Sequence, residues 1–585
     1  MEKNTILAVV LSIVVVLGSF LIQNIFWPKK PEVPLPPLTK TEQPATTTQT
    51  APVAAPLVPQ AGKTPALTTL PATPQTVVIK TDLMTVTLSN VGAVATSIEL
   101  NKHLDNGKPV QMVATQWGTG DAFETNFGAY GLPSLQVPFQ VEQLGPHKVR
   151  FSQNFLDVKG IPFTLSKTFT FHNNDYMIEV DVETQSSNGT IPDLSNGKYA
   201  YTLTYGPQIG PSFTKLDGSA EYRKFYRLVG NDRKDETFTN DTKSFNDDVK
   251  WAAIVGKYFT VIGVPDGTQY ETTFSDKPGP QDKEVDRLAF SRPQLQSSTT
   301  KDVFHFYVGP KEEKVLKMYD EAKNNPEGFS DLKLERALED NFLLGWLEVI
   351  LKFVLQGIVY LIPNWGVAII LLTILVKLLT WPLTQKSYRA SAAMQALQPK
   401  LKELQAKFKD DPKKLNEQTM ALYQKEGVNP MGGCLPMILQ IPIFFALYGM
   451  FQNQFDLRGA MFIPGWIPDL SVPDVIFSWG FPLPFLNWTA LHALPFIMVG
   501  TQIISSSLSQ PGGAQGNTQM KIMTYGIPVL FFFMLYEMPS GLMVYWCVQN
   551  ILTVFQQSYV NKHFKKPAVA AAGPKIAPSS KKVRR

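Results

Sequence analysis

A lysine inside an apolar run is the residue of this chain best placed to do chemistry. Lys377 lies within Gly366–Thr384, GVAIILLTILVKLLTWPLT, a stretch long enough to cross a bilayer. A membrane-spanning helix takes about 20 apolar residues, and a Lys at its centre costs roughly 2.5–3.5 kcal/mol on insertion. Two readings are open. An intramembrane charge marks a functional site by default. Alternatively Lys377, six residues before Leu383, snorkels: at 1.5 Å per residue the cytoplasmic end is about 9 Å away, and the Lys stem covers part of that distance. Thr373, Thr380 and Thr384 share its helical face.

Other chemistries find little support. Cys434 and Cys547 both lie in apolar segments, so neither a disulfide framework nor a metal cluster is expected. The six histidines are scattered, without an HExxH or a His/Cys pairing, and no cofactor-binding loop is evident. The 585 residues leave room for several domains. A mean hydropathy of −0.05 averages polar and very apolar regions.

The elements around Lys377 follow from composition. Residues 1–27 end in an apolar run, Ile6–Trp27, too long for a signal-peptide core and without a small-residue cleavage site, so a retained transmembrane anchor is expected. Residues 28–76 hold twelve prolines and read as a disordered spacer. Residues 77–330 alternate apolar and polar at period two in Val77–Leu88, Phe163–Phe171, Tyr176–Val182 and Asp302–Val308, which predicts a β-sandwich. No carboxylate pair, nucleophile with a base or phosphate loop marks that domain as an enzyme. Residues 332–362 carry a polar stripe at Gly345, Glu348, Lys352 and Gln356 and are expected to form an amphipathic helix in the interface plane.

Residues 363–384 form the spanning helix of Lys377. Residues 385–428 carry nine basic residues, among them Lys400, Lys402, Lys407, Lys413 and Lys414, against five acids. They read as a cytoplasmic helical hairpin broken at Asp410-Asp411-Pro412, either simply solvated or a docking surface for acidic or RNA-bearing partners. Residues 429–560 supply four further spans. The connection Gln452–His492 has Arg458 against Asp456, Asp469 and Asp474 and is expected outside. Residues 561–585 hold eight Lys/Arg and no acid and are expected inside. The predicted fold class is a multi-domain membrane protein: a polytopic α-helical bundle of six transmembrane helices, five forming the core, plus the sandwich.

Depth along each span sorts the polar residues. Thr373, Lys377 and Thr380 fall in the cytoplasmic half of their helix, as do Gln440, Gln502, Ser505, Thr524, Gln549 and Asn550 in theirs; Thr553, Gln556 and Gln557 follow in the last span. Each alone can be interhelical hydrogen-bond glue. Together they predict a hydrated cavity open to the cytoplasm and closed outside. A channel needs a polar lining on both sides, and no inverted repeat of a transporter is visible. The cavity suits a polar peptide segment arriving from the cytoplasm; the alternative is a solute or lipid transporter using the same cavity. A tethered sugar-active sandwich would need a carbohydrate site that the sequence does not display.

Several motifs are similar to one family. Gln398-Pro399-Lys400, Met420-Ala421-Leu422-Tyr423, Asn429-Pro430-Met431-Gly432-Gly433-Cys434-Leu435-Pro436 through Gln440-Ile441-Pro442-Ile443-Phe444, Lys521-Ile522-Met523-Thr524 and Pro539-Ser540-Gly541-Leu542 resemble the YidC membrane protein insertases. The resemblance implies a non-enzymatic insertase and chaperone of the bacterial inner membrane, with both termini cytoplasmic and a periplasmic β-supersandwich domain. It implies release of nascent or small membrane proteins laterally into the lipid bilayer, alone or with the Sec translocon and its accessory subunits, and ribosome contact through the basic tail, with no role for DNA. The family's groove cation then falls on Lys377, its hydrogen-bonding neighbour on Thr373, and substrate-contacting positions on Ile441, Pro442 and Phe444. The family usually carries Arg where this chain has Lys377. Lys lacks the planar five-donor fork, so bidentate recognition of a carboxylate is in doubt, while a mechanism needing only a positive, hydrated groove survives.

Overall fold

A computed structural model describes residues 65–67, 73–105, 107–114, 120–213, 221–277, 285–338, 344–409, 411–428, 435–483, 486, 488–509 and 522–564. The expected anchor 1–27, nearly all of the spacer and the tail beyond 564 lie outside the described residues.

Two antiparallel sheets of ten and nine strands form the N-terminal domain. Alternation builds them in the expected way: in Lys148–Leu156 the buried positions are Val149, Phe151, Gln153 and Phe155, with half-exposed residues between them. The runs expected at Phe163–Phe171 and Tyr176–Val182 are the strands Pro162–Phe171 and Met177–Ser186, paired with Ile178 opposite Phe171. The Asp302–Val308 strand extends over Thr299–Pro310. Trp251, Tyr201, Tyr205, Tyr307 and a group of phenylalanines fill the core.

Two expected boundaries are corrected. Val77–Leu88 is not one strand but two, Thr76–Lys80 and Met84–Ser89. Thr81 Oγ1 accepts from the amides of Leu83 and Met84, stabilising a turn that the alternation conceals. Residues 332–338 belong with the sandwich and not with the interfacial helix. Leu332, Leu334 and Ala337 are buried in its core, and the Trp251 indole donates to the Leu332 carbonyl at 3.0 Å.

The helical part begins with α1 (Gly345–Leu361), whose Leu351 and Leu355 pack inward while Phe353 and Tyr360 remain 78% and 89% exposed. A helix with one apolar face in the bundle and aromatics on the other suits an interfacial position. Next, α2 (Trp365–Ala396) carries Lys377. At 1.5 Å per residue its 32 residues run roughly 48 Å, beyond a bilayer core of about 30 Å. The segment expected as the start of the hairpin therefore continues α2 instead. Gly366 opens this helix against the Phe462 side chain: a Cβ there would meet its ring at 2.1 Å.

The hairpin itself is α3 (Gln398–Lys407) and α4 (Pro412–Lys425). Asp411 caps α4 by accepting from the Lys414 amide at 3.1 Å, with Pro412 at the first helical position. Lys400 closes the hairpin on Glu426 at 2.6 Å. Then come α5 (Leu435–Asn453), α6 (Leu494–Ser509), a π-helical turn at Ile522–Gly526 leading into α7 (Ile527–Met534), and α8 (Ser540–Phe564). Among the described residues Trp365–Ala390 alone is a helix long and apolar enough to span by itself, and Leu494–Leu508 and Thr524–Met534 are shorter apolar helices.

Candidate functional site

The last helix decides where Lys377 points. α8 packs along α2, with Leu542, Met543 and Tyr545 meeting Ala368, Ile369 and Leu372 in one apolar core. Toward the hairpin end this contact turns polar. Lys377 Nζ donates to Thr553 Oγ1 at 2.7 Å, and Gln556 Nε2 donates to Thr384 Oγ1 at 3.0 Å. The ammonium also lies 6.0 Å from the Tyr388 ring centroid, within cation–π range. No carboxylate pairs with it among the described residues.

The other side of α8 makes a second polar contact, with α6. Asn550 Nδ2 donates to Thr501 Oγ1 at 3.3 Å, Trp546 Nε1 to Gln502 Oε1 at 3.3 Å, and Gln557 Nε2 to the Leu508 carbonyl at 3.1 Å. Ser505, Thr524, Gln549 and Asn550 are buried, and Gln549 Oε1 carries no hydrogen bond. Gln440 on α5 is half-buried.

Three expectations change. Lys377 is only 3% exposed, so in this conformation the expected open cavity is a closed polar seam. The acceptor of the Lys377 proton is Thr553 and not Thr373. Thr373 Oγ1 donates back to the Ile369 carbonyl, and Thr380 likewise to Val376, as threonines in apolar helices do when their own backbone offers the nearest acceptor. Finally, the three family-implied contact positions part company. Ile441 and Pro442 face outward, whereas Phe444 turns in and meets the Trp546 ring edge-on at 4.7 Å. Thr553 and Gln556, expected among the polar residues of the last span, are the ones that meet α2; Tyr388 was missed as a site residue, since nothing in its local sequence marks it.

The end of the bundle away from the hairpin is held differently. Asp474 accepts from the amides of Ala493 and Leu494 and from Trp466 Nε1, so a buried carboxylate caps α6 and pins the segment between α5 and α6. Trp488 stacks on Tyr536 at 3.5 Å, with Phe532 beside them. The hairpin lysines beyond Lys400 project from α3 and α4: Lys402, Lys407, Lys413 and Lys414 are exposed.

Comparisons with known proteins agree over nearly the whole chain. A family model described as the YidC periplasmic domain matches residues 76–356, and one described as 60Kd inner membrane protein matches 357–567. The membrane protein insertase YidC of Treponema denticola is 37% identical over 587 residues, covering 97% of this chain and 100% of that relative. That of Treponema pallidum is 34% identical over 620 residues, covering 97% and 100%. A crystal structure of an active YidC insertase with its first transmembrane domain resolved covers 85% of this chain and 95% of its own, at 16% identity and a TM-score of 0.34.

Proposed function

This chain belongs to the YidC family of membrane protein insertases, and on that premise we propose that the Lys377 seam is where it receives its substrates. Hydrophobic segments of nascent or small membrane proteins enter from the cytoplasmic side between α2 and α8 and leave laterally into the inner membrane.

The observation that carries this reading is the state of the Lys377 charge. It is buried, held by a neutral hydroxyl and an aromatic face, and has no carboxylate partner among the described residues. A buried charge gains most from a partner of opposite sign. An arriving segment with an acidic or otherwise polar flank supplies one in exchange for the Lys377–Thr553 hydrogen bond. The polar pairs Thr384–Gln556 and Asn550–Thr501 lie at the same end and solvate that flank, while the Asp474 cap keeps the outer end shut.

The exposed lysines of the hairpin and the basic tail suit ribosome-bound chains and the Sec translocon with its accessory subunits, with the large domain outside and both termini in the cytoplasm. Photo-crosslinking tests the site: a photoreactive residue at Thr384 or Gln556, which face each other across α2 and α8, should capture a nascent membrane segment. Capture from lipid-facing Phe555 at equal yield would remove the seam from the pathway.

A further inference from the structure

Far from the membrane, strand pairing collects four ligand-type side chains that are scattered along the sequence. Glu179 and His305 are directly opposite each other on Met177–Ser186 and Thr299–Pro310. His172 follows the neighbouring strand, and Glu327 reaches in from the loop leading toward α1. His172 Nε2 is 3.0 Å from Glu327 Oε1, and His305 Nε2 is 3.5 Å from Glu179 Oε2 and 3.6 Å from Glu327 Oε2. The donor atoms of Glu179, His305 and Glu327 all lie within 4.8 Å of one another.

We infer that Glu179, His305 and Glu327 form a zinc-type metal site, with His172 beside Glu327. Tetrahedral coordination with bonds of about 2.0–2.1 Å places adjacent ligand atoms roughly 3.3 Å apart, and the separations here bracket that value. Two carboxylates share the His305 imidazole, and a divalent cation between them offsets both charges. Glu327 adds an independent indication: its side chain is nine-tenths buried, and its Oε1, aimed into the cluster, makes no hydrogen bond.

The surroundings orient the ligands as metal sites require. Thr170 Oγ1 donates to Glu179 Oε1 at 3.0 Å, and the His305 ring meets Phe329 edge-on at 4.7 Å. His172, more than a third exposed, leaves a path for the ion. Mixed imidazole and carboxylate donors favour zinc over magnesium or calcium, which prefer oxygen throughout. Three protein ligands from two strands and the following loop hold the ion, which ties the segment leading to α1 onto the sheet.

The test uses the full untagged chain in detergent, stripped with chelator and then dialysed against zinc chloride. The expected result is one zinc per chain, not displaced by excess magnesium, with affinity falling at least about tenfold in Glu327→Gln and in His305→Asn. Zinc absent from the wild type, or retained equally by both variants, overturns the proposal. Cobalt substitution gives a reading that needs no variant: an intense visible spectrum marks tetrahedral binding, and the weak spectrum of six-coordinate cobalt contradicts it.

Discussion

Lys377 on α2 and Thr553 on α8 are joined by a 2.7 Å hydrogen bond across 176 residues of chain. That bond fastens the first helix of the bundle to its last at the depth where the seam turns polar. Thr553→Val keeps the shape and removes the acceptor, leaving a buried ammonium short of a partner. The expected loss is about 1–3 kcal/mol of stability, read as a lower unfolding temperature in detergent, with Thr553→Ser restoring most of it. An unchanged unfolding temperature would mean that the bond is not made in the protein as purified.

Among the described residues, an ion pair and an aromatic ring join the sandwich to the membrane domain. Arg458 Nε donates to Asp105 Oδ1 at 2.8 Å and a second guanidinium nitrogen to Oδ2 at 3.3 Å, while the Ser212 carbonyl accepts from the same group. Phe455 packs edge-on against Phe259 at 5.0 Å and Tyr258 at 5.4 Å. In a double-mutant cycle, Asp105→Asn and Arg458→Gln should show a coupling of about 1–3 kcal/mol. Protease cleavage between the domains should rise equally in each single variant and no further in the double. Additive effects would show that the two side chains act independently.

A buried lysine in the sandwich gives a pH signature. Lys167 is fully buried, donates to the Phe123 carbonyl, and is pushed down to about 7 by burial. Between that value and its unfolded value of about 10.4 the folded chain binds fewer protons than the unfolded one. Stability from this group therefore rises with pH across the window, by roughly 1.4 kcal/mol per unit. Lys167→Met removes that slope, so its advantage over the wild type should be largest at pH 7 and below and shrink toward pH 10. A pH-independent difference in denaturant unfolding would count against it.

Much of this was legible in the sequence, and the misses share a cause. Period-two alternation located the strands at Phe163–Phe171 and Tyr176–Val182, because alternation is a local consequence of one buried face. Depth along the spans placed Lys377 among polar residues for a similar reason. Choosing Thr553 over Thr373 was out of reach, since that choice is made by the packing of α8 against α2. Leu332, Leu334 and Ala337 were grouped with α1 by position, yet they are buried in the sandwich core, with the Trp251 indole on the Leu332 carbonyl. Arg458 entered the sequence reading only as a charge on one side of the membrane, whereas its partner Asp105 lies on a strand 353 residues away. His172, His305 and Glu327 looked scattered until strand pairing brought them within reach of one another.

The most direct test of the central claim compares Lys377→Arg and Lys377→Gln with the wild type in a reconstituted insertion assay, using a substrate with an acidic flank. If a buried positive charge receives the segment, the Arg variant should retain most of the activity and the Gln variant should lose at least about tenfold, the equivalent of roughly 1.4 kcal/mol. Equal insertion by all three proteins would make the charge dispensable and contradict the account.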